Sequence, residues 1–341
     1  MFMSCSKLIT FNCVDLSSLE NGWYMFKETK ITSFDYDLKS LTNGTGMFSN
    51  CSNLVSFNCD DLSTLTNGGS MFLNCTNLTS FESDLSSLTE GTAMFASCTN
   101  IMSFKSDLSN LMTGYNMFRA CSNLTTFNSN LSSLTNGDSM FYYCSNLTSF
   151  TSDLSSLTNG DSMFYYCSNL TSFISDLSSL TNGNGMFYNC KLDVPSVKNI
   201  IDTINIVSSE TESPKILIAM GCNNNNEDKD LFAQGVGYTD MNTLLTTLQN
   251  KGWTVTAQYN GRPSTNYSLR QPESLPVFVK LVEVIPSEED EYTHYEYTSQ
   301  DGSKFYNLDW FHETTGSTDG YTQFSSLEEA ITHFNIKQIE K

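Results

Sequence analysis

The sequence predicts an α/β solenoid: parallel β coils stacked over residues 1–190, an α/β cap over 191–285 continuing the stack, and a small ββα module over 286–341 for docking or anchoring. Three observations predict it. Met-Phe restarts at Met1, Met25, Met47, Met71, Met94, Met117, Met140, Met163 and Met186, a period of about 23 residues. Each restart brings the same apolar frame, which in the unit from Met140 to Ser162 is Met140, Phe141, Cys144, Leu147, Phe150, Leu154 and Leu157. The period stops after Cys190, where Ile, Val, Leu and more charge replace Ser, Thr and Asn. A unit this short cannot enclose its own apolar face, so copies must stack and share one interior.

The gaps of three and four in that frame suit an amphipathic helix, but two features oppose one. Gly22, Gly44, Gly68, Gly91, Gly114, Gly137, Gly160 and Gly183 recur ahead of Met-Phe, commonly as Asn-Gly, and mark a turn. Ser, Thr and Asn fill most other positions and compete with helical backbone bonding. One short strand per coil is expected instead, centred on Leu147 to Phe150 in the best-formed unit and pairing in parallel with its copies. At a strand spacing of about 4.8 Å, eight coils make a curved rod roughly 40 Å long. Asp153, Asp176 and their copies are expected to shape turns by accepting from nearby amides, not to act as a glycosidase's paired carboxylates. Of the 11 cysteines, Cys5, Cys51, Cys75, Cys98, Cys121, Cys144, Cys167 and Cys190 fall in one column. With no CxxC spacing, they are expected as reduced core thiols rather than disulfides or metal ligands.

The pattern M/A-F-x-x-C-x-x-L-x-x-I/F-x-x-x-L-x-x-L-x-x-G over residues 1–190 resembles the BspA-type leucine-rich repeat, whose usual form reads AF-x-x-C-x-x-L-x-x-I. Met stands where that repeat usually has Ala, and Ser152-Asp153 where Ile-Pro usually follows the strand. The copy from Met25 is one residue short and lacks the cysteine, and the first and third copies carry an extra residue near Cys13 and Cys59, where bulges are expected. The resemblance implies leucine-rich-repeat-like coils and a role in adhesion. Such repeats resemble those of bacterial surface proteins that bind host or neighbour-cell ligands, and of bacteriophage tail and host-recognition proteins. Fold alone does not fix the ligand.

Beyond Cys190, Ser196 to Ile204 reads as a helix entered through Pro195, and Ile216 to Gly221 as a buried strand. Asp240 can cap a helix running to Asn250, closed by Lys251-Gly252, before a strand from Trp253 to Tyr259. This order suits two larger α/β coils that extend the same parallel sheet. The segment KGWTVTAQYNG resembles the closing unit of repeat arrays in phage tail-type proteins. Asn223 to Asp230, NNNNEDKD, reads as a solvated loop, because it lacks the register and glycine of a calcium loop. Arg262 to Pro276 reads as a connector, Val277 to Ile285 as a strand, and SEEDE as an acidic linker. In the last module a hairpin of Tyr292 to Gln300 and Lys304 to Phe311 across Asp301-Gly302 precedes a helix capped by Ser326-x-x-Glu329 and ending near Phe334.

Composition narrows function. A net charge of −20 and a pI near 4.3 repel phosphate backbones and anionic lipid, so nucleic acid is not an expected partner. No apolar run reaches the roughly eighteen residues that span a bilayer, so membrane insertion is not expected. The start, MFMSCSKLITF, lacks the parts of a secretory signal, and the expectation is a chain not routed for export. The histidines are His294, His312 and His333, and no nucleophile elbow, phosphate loop or dinucleotide fingerprint accompanies them. A non-enzyme with no cofactor, no metal site and no catalytic residue is expected. The least favoured alternative is a hydrolase in the C-terminal module, acting through His312.

The residue after each strand Phe varies most within a fixed frame: Asn12, Asp35, Asn58, Glu82, Lys105, Asn128, Thr151 and Ile174. Alternation turns it outward, so Asn58, Glu82, Lys105, Asn128, Thr151 and Ile174 are candidate ligand-binding residues on a concave sheet. A second variable set follows Met-Phe: Lys27, Leu73, Ala96, Arg119, Tyr142, Tyr165 and Tyr188. Late in the array, Tyr142, Tyr143, Tyr165, Tyr166 and Tyr188 make a candidate aromatic cluster, since tyrosine gives rigid amphipathic area. Sequons such as Asn146 and Asn169 are by-products of the repeat and carry no assigned glycans. The expected role is a binding or structural component of a bacteriophage virion, with a BspA-type adhesin on the bacterial cell surface as the alternative. Expected partners are other virion or surface proteins, or a host surface protein or glycan. The first coil begins on Met-Phe with no cap, and another chain is expected to cover its edge in a larger assembly or homo-oligomer.

Overall fold

The computed structural model describes residues 2–206 and 215–260, apart from 14 and 60, and the backbone of five strands between 277 and 338. The chain divides into two units, Met1–Tyr267 and Ser268–Lys341.

The repeats form coils, and each coil from the second on contributes one short strand: β1 (Ser33–Phe34), β2 (Ser56–Phe57), β3 (Ser80–Phe81), β4 (Ser103–Phe104), β5 (Thr126–Phe127), β6 (Ser149–Phe150) and β7 (Ser172–Phe173). The strand expected from Leu147 to Phe150 is therefore two residues long. Pairing is parallel, Phe opposite Phe, within β1-β2, β3-β4 and β5-β6-β7. The unbroken ladder lies elsewhere, through parallel bridges linking Asn21, Asn43, Asn67, Glu90, Thr113, Asn136, Asn159 and Asn182. At the Met-Phe turn the Phe amide donates to the Met carbonyl of the next coil, from Phe26 to Met47 at 2.8 Å through Phe164 to Met186 at 2.9 Å. Each coil thus pairs its buried backbone groups with its neighbours.

The interior is two interleaved phenylalanine columns. Phe48 stacks on Phe72 at 5.5 Å and meets Phe34 edge-on at 4.8 Å, and the pattern repeats to Phe164, Phe173 and Phe187. Stacked and T-shaped pairs of this kind each add about 0.5–1.5 kcal/mol beyond the area they bury. The cysteine column is buried from Cys51 onward, and each thiol donates to the Phe carbonyl of the preceding coil, as Cys144 does to Phe118 at 3.1 Å. In the short second copy Thr29 takes the cysteine's place, fully buried, its hydroxyl 3.3 Å from Cys51 Sγ.

The recurrent glycines serve a different end from the one the turn signal suggested. A Cβ on Gly44 would lie 2.7 Å from Met71 Sδ, so glycine is needed where the next coil's Met packs on the backbone. The left-handed residues are its neighbours. One precedes each Met (Tyr24, Gly46, Ser70, Ala93, Asn116, Ser139, Ser162, Gly185), and one follows each Phe by two. Threonine is abundant in the repeats yet holds none of these places, because β-branching is penalised there.

The stack ends in α1 (Val194–Thr203), β8 (Lys215–Met220), α2 (Asn226–Val236), α3 (Met241–Asn250) and β9 (Thr254–Tyr259). Asp193 caps α1 by accepting from the Ser196 amide, with Pro195 in the first turn. The expected continuation of the strand ladder is corrected here: α1, not a strand, closes β7. Ser196 Oγ accepts from the Phe173 amide at 2.7 Å and Asn199 Oδ1 from the Ser175 amide at 2.9 Å, so two helical side chains satisfy the edge. Strand β8 instead extends the Asn-Gly ladder, bridging Gly183 to Ile216, and pairs in parallel with β9. Asp240 caps α3 as expected, and Lys251 Nζ donates to the Ile201 and Ile204 carbonyls at the end of α1. The loop reading of Asn223 to Asp230 is also corrected. Asn225 accepts from the Asp228 amide and caps α2, whose first turn holds Glu227 and Asp228.

In the second unit β10 (Val277–Ile285), β11 (Glu291–Thr298), β12 (Lys304–Phe311), β13 (Thr322–Phe324) and β14 (Lys337–Gln338) form an antiparallel sheet of order β13-β12-β11-β10-β14. The hairpin pairs as expected, with Thr298 opposite Lys304. Val277–Ile285, expected within the cap, pairs with β11 instead, so the expected hairpin sits within a sheet of five strands. The connector Arg262 to Pro276, most of SEEDE, the Asp301-Gly302 turn, His312 and the helix from Ser326 lie outside the described residues.

Candidate binding surface

The column after each strand Phe is exposed throughout, at Asn58, Glu82, Lys105, Asn128, Thr151 and Ile174. Four of its members, Asp35 with Asn58 and Glu82 with Lys105, pair with one another. Asn58 Nδ2 donates to Asp35, and Lys105 pairs with Glu82 at 3.2 Å with both side chains well exposed, a contact of small worth in water. Lys105 and Asn128 line a shallow depression of about 490 Å³ with Asp107, Ser129 and Asn130. No single point draws the column together. A neighbouring outward column, with Ile9, Val55 and Met102 among its exposed members, was not singled out from the sequence. Its signal was the residue after the first Leu of each coil, which alternation also turns outward.

The tyrosines do converge. Tyr142, Tyr165 and Tyr188 stack at 4.8 and 4.5 Å, and Tyr143 and Tyr166 stack beside them at 4.7 Å with planes 2° apart. Between the columns the rings tilt, at 4.9 Å for Tyr142 and Tyr143. The Arg119 guanidinium continues the first column, 5.3 Å over Tyr142. The period forces this: identical positions in consecutive coils lie one coil apart, so like rings stack. Burial and the neighbouring phenols push the Tyr165 hydroxyl above its ordinary range, and Tyr188 foremost does the same to Tyr166. Both remain neutral donors at physiological pH. In the same turns Asp138 is raised by burial, with Asp161 adding to it.

The aspartate column is occupied in turns, as expected. Asp84, Asp107, Asp153 and Asp176 each accept the amide two residues on, at 2.8–2.9 Å. Among the described residues no group of three His, Cys, Asp or Glu is placed to hold a metal, and no helix is long and apolar enough to cross a membrane.

Residues 1–102 and 91–208 match the family model of the BspA type leucine rich repeat region, in six copies. No curated protein matches the chain.

Proposed function

The chain belongs to the BspA-type leucine-rich repeat family, and on that premise we propose that it is a non-catalytic binding protein whose solenoid holds a partner protein or a surface glycan. The tyrosine array carries the reading. The apolar frame recurs from coil to coil along the stack, whereas five tyrosines gather on the Met-Phe turns of three consecutive coils. Rigid rings with polar tips give contact area at low entropic cost, and packing of the interior does not call for them. The setting we favour is a bacteriophage virion, in its tail or host-recognition apparatus, supported by the likeness of KGWTVTAQYNG to closing units of phage tail arrays. The alternative is an adhesin on the bacterial surface.

Labelled full-length protein titrated onto a panel of intact bacterial cells tests the binding role. Saturable binding is expected, with Y142S/Y165S/Y188S at least about tenfold weaker at an unchanged unfolding midpoint. Undiminished binding by the variant, or release of soluble fragments from the cell envelope, overturns it. Peptides of the chain in gradient-purified virions support the virion setting; protease-sensitive display on intact cells supports the other.

A further inference from the structure

We propose that the step where the tyrosine array begins is a saccharide subsite, in which a pyranose bearing a carboxylate stacks on Tyr143 above Ala120 and Arg119 holds the carboxylate. The proposal rests on the tyrosine array being a binding surface and names its ligand.

The second residue after each Phe has one backbone conformation from coil to coil, with φ of 60° at Ala120, 62° at Tyr143 and 61° at Tyr166. Side chains in this column leave the chain in one direction, which is why Tyr143 and Tyr166 stack so closely. The next place along the column belongs to Ala120, whose methyl cannot fill it. Among the described residues no ring or cation lies on that face of Tyr143. Its exposure shows the opening: Tyr143 is 45% exposed, whereas Tyr166 is half-buried. The adjacent column has no such gap, because Arg119 fills the equivalent place over Tyr142. The result is a step one coil deep, about 4.8 Å, with an aromatic wall, a methyl floor and a guanidinium beside it.

A slot of one ring's thickness against a flat aromatic face takes either an aromatic ring or the C–H face of a sugar. Arg119 favours the sugar acid. It is exposed, pairs with no carboxylate among the described residues, and presents a planar fork of donors that matches a carboxylate. It is also the sole Lys or Arg between residues 106 and 190, among five aspartates, so it is the one side chain of that stretch able to pair with an anionic group. The net charge of −20 opposes an anionic ligand weakly there, because charges beyond about 8 Å are screened at physiological salt.

Full-length protein is titrated with tetramers of galacturonate, of glucuronate and of neutral galactose, read by calorimetry and saturation-transfer NMR. An acidic tetramer is expected to bind at least about tenfold tighter than the neutral one, with saturation concentrated on the C–H protons of one ring face. Ala120→Tyr extends the column by one ring on a backbone that already carries tyrosine in the next two coils, and is expected to abolish binding with the unfolding midpoint retained. Arg119→Gln is expected to bring acidic binding down to the neutral level, and Leu231→Ser, exposed on α2 outside the binding columns, to leave it unchanged. Undiminished binding by Ala120→Tyr, or binding of neither acid, overturns the subsite. An arginine-rich or aromatic peptide that binds with the same variant sensitivity also overturns it, making the occupant a protein. If neither acid binds while cell binding still depends on the tyrosines, the subsite falls and the binding surface stands; loss of both removes both.

Discussion

The first coil and the coil from Met140 carry the same residue types and bury them differently. Phe141, Cys144, Leu147, Phe150, Leu154 and Leu157 are all at 0% exposure, whereas Phe2, Leu8, Phe11, Leu16 and Leu19 are only partly buried and Cys5 is exposed. The later coil is flanked on both sides; among the described residues the first packs on one neighbour only. Burial is therefore a property of the stack, and a residue's position along it decides what its chemistry becomes. Thiols report this most strongly. Burial pushes Cys98 up to about 12 and Cys59 to about 11 from an ordinary 9.0. A raised acid must stay protonated in the folded state, so this stability is complete below pH 9 and drains as pH climbs through about 12, at roughly 1.4 kcal/mol per pH unit for each such thiol. The urea midpoint is expected to fall steeply above pH 9, and a thiol reagent at pH 8 to modify Cys5 and Cys13 while the ladder reacts only on unfolding. A midpoint flat between pH 9 and 11 breaks the comparison.

Phenylalanine truncation sharpens it. Phe141→Ala removes a ring stacked on Phe118 and Phe164 and edge-on to Phe150, and is expected to cost about 3–5 kcal/mol. Phe11→Ala, whose ring contacts Phe2, Phe26 and Tyr36 but is part-exposed, should cost less than half of that, since water already reaches the site. Equal losses in denaturant unfolding would mean that the first coil is covered in solution.

Periodicity explains how much of this was legible beforehand. Nine restarts of Met-Phe fix the column membership of the core residues of the repeats, and column membership alone stacks Tyr142 on Tyr165 and Tyr143 on Tyr166. Relations between neighbouring coils were hidden. The glycine ahead of each Met reads as a turn residue until the next coil's Met is seen against it. Likewise α1 displaces a strand because Ser196 and Asn199, three apart on one helix face, reach two edge amides. Helix α2 was missed because Asn223 to Asp230 is polar throughout, while its buried Phe232, Ala233 and Val236 come later. The Asn225 cap with Glu227 and Asp228 behind it was the available signal. The slot at Ala120 escaped notice since it is a missing ring, which no motif encodes.

Glycine substitutions grade the stack from end to end. The closest atom to a new Cβ lies at 2.6 Å for Gly22, 2.7 Å for Gly44, 2.9 Å for Gly91, 3.0 Å for Gly114 and 3.2 Å for Gly160. The obstacle at Gly44 is the sulfur of Met71, a flexible side chain that must shift within a filled core. Gly44→Ala is expected to cost about 1–3 kcal/mol and Gly160→Ala about 1 kcal/mol less, by urea unfolding. A cost that rises toward the later coils would place the tight packing at the wrong end.

The smallest effect has a sign that local strain alone decides. Ala93 and Ala96 lie three residues apart in one turn, but Ala93 has φ of 52° and Ala96 is not left-handed. Ala93→Gly removes about 1 kcal/mol of left-handed strain and gives back part of it through a freer unfolded chain, for an expected gain of about 0.5 kcal/mol. Ala96→Gly relieves nothing and loses a methyl at 5% exposure, so a loss of about 1 kcal/mol is expected. Ala93→Val is expected to lose more than 1 kcal/mol, because branching at Cβ worsens the clash that keeps threonine and valine out of this column. If Ala93→Gly and Ala96→Gly shift the unfolding midpoint in the same direction, the left-handed turn is not a cost that the stack carries, and the exclusion of β-branched residues needs another cause.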